Sequence, residues 1–163
     1  MTTKTGTMKK ICIALDYTPL SEKVAKTGYE LARELGAEVT LVHVIADASY
    51  YAVNYAPSMG YQGFLVESGA ELAETIELGA KNFLSATIER LHDRNIKKAV
   101  LEGPTADAIL EYAQECHMDL LVVGTHGHSG LEHLLMGNTA GRLVRHSKIP
   151  ILLVPTNVSG RME

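Results

Sequence analysis

The chain has 163 residues, of which 46% are hydrophobic and 21% charged, a length suited to one domain that buries about 70% of its unfolded surface. Its net charge is −4, and no basic cluster exceeds Lys9-Lys10 or Lys97-Lys98, which argues against a nucleic-acid partner. No apolar run approaches the roughly 20 residues of a membrane helix, and no apolar segment follows the polar residues 1–8, so neither membrane nor secretion is indicated and a cytoplasmic location is expected.

The first element is an apolar run, Lys10 to Leu15. It is too short for a helix and apolar at consecutive positions, as strands of a parallel sheet are when both faces are covered. Cys12 lies inside it as a small hydrophobe. With Cys116 it forms neither a disulfide framework nor a zinc spacing. A helix is predicted from Thr18 to Leu35, with Val24, Gly28, Leu31, Ala32 and Leu35 at helical spacing, Thr18-Pro19 as N-cap and N1, and Gly36 as the stop. The second strand runs from Glu38 to Val44.

Residues 46–64 then carry Tyr50, Tyr51, Tyr55 and Tyr61 among Pro57, Gly60 and Gly63. This is a long loop on the ligand side of the sheet, read either as a connection packed on the neighbouring helix or as a lid or partner surface. A second helix covers about Val66 to Arg94, marked by Leu72, Ile76, Phe83, Leu84 and Leu91, and a weaker strand follows at Lys97 to Leu101. The third helix is marked by Ala106, Ile109, Leu110 and Ala113, with Thr105 as N-cap. A strand at Asp119 to Val123, a helix at about Thr139 to His146 and a strand at Pro150 to Val154 complete the chain.

The order βαβαβαβαβ predicts an α/β fold: a doubly wound, Rossmann-like, five-stranded parallel sheet in the order 3-2-1-4-5, with helices on both faces. One domain is expected across residues 1–163, with its core at about 8–156 and disordered tails. In such a sheet, ligands bind outside the carboxyl ends of the strands where the strand order reverses. Here that crevice lies between strands 1 and 4.

After strand 4 the sequence reads Gly124-Thr125-His126-Gly127-His128-Ser129-Gly130, and Gly137-Asn138-Thr139-Ala140 opens the last helix. Glycines leave room for an anion to reach backbone N–H groups, and a helix N-terminus adds attraction. Glycine after a strand or at a helix start is also common without any ligand. The segment is not a Walker A loop, since no Gly-Lys-Ser/Thr follows, nor a dinucleotide GxGxxG, since it follows the fourth strand.

The segment resembles the ATP-binding subgroup of the universal stress protein family, whose motif is G-x2-G-x9-G-[S/T]. Gly124, Gly127 and Gly137 stand at that spacing, and Asn138 occupies the place of Ser or Thr. Asp119 to Val123, Leu143 to Val154, Asp16, His43-Val44 and Gly103 to Ala113 agree with the family as well. The resemblance covers nearly all of the chain except the tails and residues 46–64. It implies an adenine nucleotide alpha hydrolase-like fold that binds ATP, or AMP or ADP. Asp16 would then meet the nucleoside with Ala14 nearby, and the Val44 backbone would meet the adenine edge. Gly124, His126, Gly127, Gly137, Asn138 and Thr139 would surround the ribose and phosphates. Without the resemblance, Asp16 reads as a turn or cap residue leading into Thr18-Pro19.

No catalytic residue is assigned. No lysine stands in the glycine-rich segment, so any ATP hydrolysis is expected to be slow. His126, His128 and His133 lack partners at ligand spacing, which predicts no dedicated metal site. Mg2+ or Mn2+ would arrive with the phosphates. The His126-Gly127-His128 run echoes adenylyl-transferring enzymes, but theirs follows strand 1, and no G-x-S-x-G elbow marks a hydrolase. The function indicated is a nucleotide-binding regulator in the stress response, with an unidentified protein partner. The alternatives are a slow ATP-dependent hydrolase or transferase on a small molecule, and a protein-interaction module that binds no nucleotide. In the family the last strand commonly pairs across a two-fold axis, and Ile151, Leu152, Leu153 and Val154 form such an apolar edge, implying a homodimer.

Overall fold

A computed structural model describes residues 7–45, 65–126 and 136–156, and the side chains of 65–70 are not included. The Tyr-rich segment 46–64, Gly127 with the rest of 127–135, and all of the expected disordered tails (1–7 and 157–163) except residue 7 lie outside the described residues. The elements in chain order are β1 (Lys10–Ala14), α1 (Ser21–Leu35), β2 (Glu38–Ile45), α2 (Leu65–Leu91), β3 (Lys97–Glu102), α3 (Thr105–Glu115), β4 (Leu120–Gly124), α4 (Asn138–His146) and β5 (Ile151–Val154).

The strands form one five-stranded parallel sheet in the order β3-β2-β1-β4-β5, as the sequence predicts. β1 is central, with Ile11 paired to Val39 on one side and to Leu120 on the other. Its side chains alternate between two cores. Ile11 and Ile13 join Leu41, Val122, Val24 and Leu84 under α1 and α2. Cys12 joins Val42, Leu121, Ile109 and Leu143 under α3 and α4. This two-sided burial is why β1 and β4 read as continuous apolar runs. It also pushes the fully buried Cys12 thiol up to about 12. β3 reads more weakly because it is an edge, with Lys97 and Lys98 exposed.

The helix starts differ from expectation. Thr18 does not cap α1. Its backbone N–H and its hydroxyl both donate to Asp16 Oδ1, at 3.0 and 2.6 Å, forming a local turn. Pro19 and Leu20 extend that turn, and α1 begins at Ser21 with no side-chain cap. Thr105 is the first residue of α3 and Pro104 its N-cap, while α4 is preceded by Gly137 and begins at Asn138. The expected stop at Gly36 is present: φ is 63°, and Ala37 N–H donates to the Ala32 carbonyl at 2.9 Å. His92 and His117 take the same left-handed conformation after α2 and α3, each with φ 54°. Among the described residues, no helix is long and apolar enough to cross a membrane.

Candidate functional site

All five strands run the same way, so their carboxyl ends share one edge of the sheet. A cleft of about 520 Å³ opens there, across the ends of β2, β1 and β4. That volume lies in the usual range for small-molecule sites. Each candidate site residue that the structure describes lines it. Ala14 and Asp16 come from the end of β1, and Val44 from β2. Gly124 and His126 come from the end of β4, and Gly137, Asn138 and Thr139 from the start of α4. Gly127 lies outside the described residues.

At the β1 end, the last register pair is Ala14 with Val42, and Leu15 N–H donates to the Val42 carbonyl at 2.9 Å. Backbone groups alternate sides along a strand, so those of Val44 face the gap beyond β1. Asp16 uses Oδ1 for the Thr18 turn, leaving Oδ2 with no protein hydrogen bond among the described residues. Behind it, buried His43 sets its Nδ1 2.7 Å from the Leu15 carbonyl. A carbonyl only accepts, so Nδ1 carries the proton. Tyr17 lies over this imidazole with ring centroids 4.2 Å apart, and meets Phe83 of α2 at 5.0 Å. Tyr17 is 52% exposed and lines the cleft.

At the β4 end, Thr125 joins three segments. Its N–H donates to the Val154 carbonyl at 3.0 Å, its carbonyl accepts Gly137 N–H at 2.6 Å, and its Oγ1 accepts Thr156 N–H at 3.1 Å. The chain therefore leaves at His126 and returns at Gly137 through one pinched neck. α4 begins there with no side-chain cap and no acidic residue in its first turn. Its leading N–H groups and dipole are left to favour an anion. Asn138 and Thr139 are exposed.

Two glycines of the spacing, Gly124 and Gly137, are among the described residues. A Cβ on Gly124 would lie 3.0 Å from Thr156 Cγ2 and 3.2 Å from Val24 Cγ2. A larger residue here would press on both side chains behind the cleft. Gly137 has φ −65° and ψ 160°, extended backbone that any residue adopts. Asn138 is not the cap of α4, because Gly137 holds that place.

Thr125 and Thr156 were not singled out by the sequence. Thr125 stands in plain view between Gly124 and His126. Thr156 has no local signal, since its partners are 30 and 31 residues away. Among the described residues, no three His, Cys, Asp or Glu side chains cluster as a metal site, and His128 and His133 lie outside them.

The comparison with known proteins agrees along the whole described fold. A universal stress protein of Methanocaldococcus jannaschii is 30% identical over 150 residues, covering 90% of this chain and 81% of the relative. The structure of universal stress protein UspA from Lactobacillus plantarum superposes with a TM-score of 0.72 at 19% identity, covering 90% of this chain and 97% of the other. Two further structures superpose with lower TM-scores. A universal stress protein in complex with cAMP gives a TM-score of 0.59 at 20% identity, covering 92% and 99%. An Arabidopsis thaliana universal stress protein family protein with AMP bound gives 0.60 at 15%, covering 92% and 93%. The sequence model of the universal stress protein family matches residues 7–155, from before β1 to just past β5, and on that match the chain belongs to the universal stress protein family.

Proposed function

We propose that the chain is an adenine-nucleotide-binding regulatory protein that holds ATP, AMP or ADP between the carboxyl ends of β1 and β4. The observation that carries this reading is the division of the cleft. Its β2 side is mainly apolar, with Val42, Val44, Ile45 and Ile76 beside His43, whereas its β4 side adds Thr125, His126 and the start of α4 to Val123 and Leu143. β2 and β4 flank β1, so the two sides stand about 10 Å apart, the span from a purine ring to its α-phosphate. Asp16 Oδ2 then accepts from a ribose hydroxyl, and the Val44 backbone meets the adenine edge. His126, Gly137, Asn138 and Thr139 meet the phosphates, with Gly124 and Gly127 giving them access. The AMP- and cAMP-bound relatives favour the same ligand class.

Mg2+ or Mn2+ would bind through phosphate oxygens and water. No lysine or arginine occurs among the described residues lining the cleft, which favours regulation over rapid phosphoryl transfer. Among the described residues β5 pairs with β4 alone, and its outer edge is assigned to a second copy of the chain, with the partner that reads the nucleotide state still to be identified.

Thermal unfolding with ligand tests the reading. A ligand specific for the folded state adds about 2.7 kcal/mol at one hundred times its dissociation constant. Millimolar ATP and AMP are expected to raise the midpoint more than GTP does. Equal shifts with all three, or none, would refute it.

A further inference from the structure

Helix α1 lays one stripe on the sheet, and its buried residues are Ser21, Val24, Ala25, Gly28 and Ala32. The helix runs against the strands. Gly28 lies over Ile13 and Val122, whereas Val24, one turn earlier, lies over Gly124 at the end of β4. Ser21 comes a further three residues before Val24, which is about 4.5 Å along the helix axis. That step carries it past the end of β4, to where the crevice between β1 and β4 opens, and it lines the cleft there. It is the polar member of an otherwise apolar stripe, and it is 8% exposed.

Hydroxyls inside helices often bond back to the carbonyl four residues earlier, as those of Thr75 and Thr87 do in α2. Ser21 Oγ has no hydrogen bond among the described residues. Among those residues, every side-chain nitrogen or oxygen cut off from solvent has a partner, so this hydroxyl is reached from the cleft that it lines. The other polar atom left over at this corner is Asp16 Oδ2, an acceptor. The two helix starts at the cleft therefore differ in kind. α4 has no acidic residue in its first turn, whereas α1 has Glu22. A phosphate is drawn to α4; beside α1 it would meet the Asp16 carboxylate, where hydroxyl groups that donate are a better match.

We propose that Ser21 is a specificity-determining residue of the cleft. With Asp16 it takes the two ribose hydroxyls of the nucleotide, Asp16 Oδ2 accepting from one and Ser21 Oγ from the other. The cleft thereby selects ribonucleotides over deoxynucleotides. This rests on the nucleotide reading of the cleft and adds to it a buried residue outside the glycine-rich segment.

The test is calorimetric titration of the full chain and of Ser21→Ala with AMP, 2′-deoxy-AMP and 3′-deoxy-AMP. Alanine removes the hydroxyl alone and suits a helix. The parent is expected to bind AMP at least about fivefold tighter than either deoxy form, the worth of one hydrogen bond. Ser21→Ala should bind AMP about fivefold more weakly. It should bind one of the two deoxy forms as the parent does, because that ligand already lacks the hydroxyl that Ser21 takes. A parent that binds none of the three would refute the nucleotide reading itself. A parent that binds AMP and both deoxy forms equally would overturn the role of Ser21 without recourse to a variant. So would a Ser21→Ala protein that binds AMP like the parent, or one that loses all three ligands to the same extent.

Discussion

Asn138 shows how one residue's role depends on the exact start of a helix. As an N-cap it would stabilise α4, and its replacement would cost about 1 kcal/mol. As the first helical residue, exposed and without a capping bond, it leaves its side-chain amide to the cleft. Asn138→Ala is therefore expected to change folding stability by no more than about 0.5 kcal/mol. On the proposed function, it should weaken ATP by about one order of magnitude, whereas Asn138→Ser should be close to neutral. Titration calorimetry alongside chemical denaturation checks both halves, and an Asn138→Ala protein that binds ATP like the parent would remove the side chain from the phosphate site. Asp16 offers a related lesson. Read alone it was either a turn residue or a ligand contact. The structure lets it serve the turn with Oδ1 while Oδ2 has no hydrogen bond among the described residues.

Helix α1 lies so close to the sheet that Gly28 has no room for a side chain. A Cβ there would sit 2.7 Å from Ile13 Cδ1 and 3.1 Å from Val122 Cγ1, both on fully buried residues. Alanine would favour the helix by about 1 kcal/mol, but overpacking costs about 1–3 kcal/mol. Because Ile13 and Val122 are enclosed by the sheet and the helix, strain is expected to win. Gly28→Ala should lower stability by about 1 kcal/mol in urea, and a more stable variant would show that α1 can lift off the sheet. The elements themselves were legible. Runs such as Ile11 to Leu15 and Leu120 to Val123 are apolar on both faces because helices cover both. Helix caps were not, since Thr18, Thr105 and Asn138 each stand near a helix start with a side chain suited to capping. Which residue caps depends on tertiary geometry: Thr18 is claimed by Asp16, and Gly137 by the Thr125 carbonyl. The candidate cleft followed from topology and the glycine spacing, whereas the neck that joins Thr125 to Gly137 and Thr156 is formed only by the fold.

At the scale of the molecule, the outer edge of β5 bears on assembly. Pro150 and Val154 direct their carbonyls to β4, accepting Leu121 and Thr125 N–H at 3.0 Å each. By the alternation of backbone groups, Ile151 and Leu153 face outward. Light scattering at high micromolar concentration is expected to give twice the chain mass of 17.7 kDa. Leu153→Pro, which deletes an outward N–H without touching a β4 bond, should yield the monomer; a monomeric parent, or a dimer unaffected by the proline, would exclude the β5 interface. The order of the strands also shapes how the molecule comes into being. β1 is made first and lies in the middle, yet its partner on one side arrives late, as the Lys10–Asp119 contact across 109 residues shows. At roughly 5–20 residues per second, translation takes on the order of ten seconds to cover that distance. Throughout that interval β1 can pair with β2 while its opposite edge stays bare, a template for any neighbouring nascent chain. The hazard in making this protein therefore falls before β4 is synthesised, at the strand that ends up best protected.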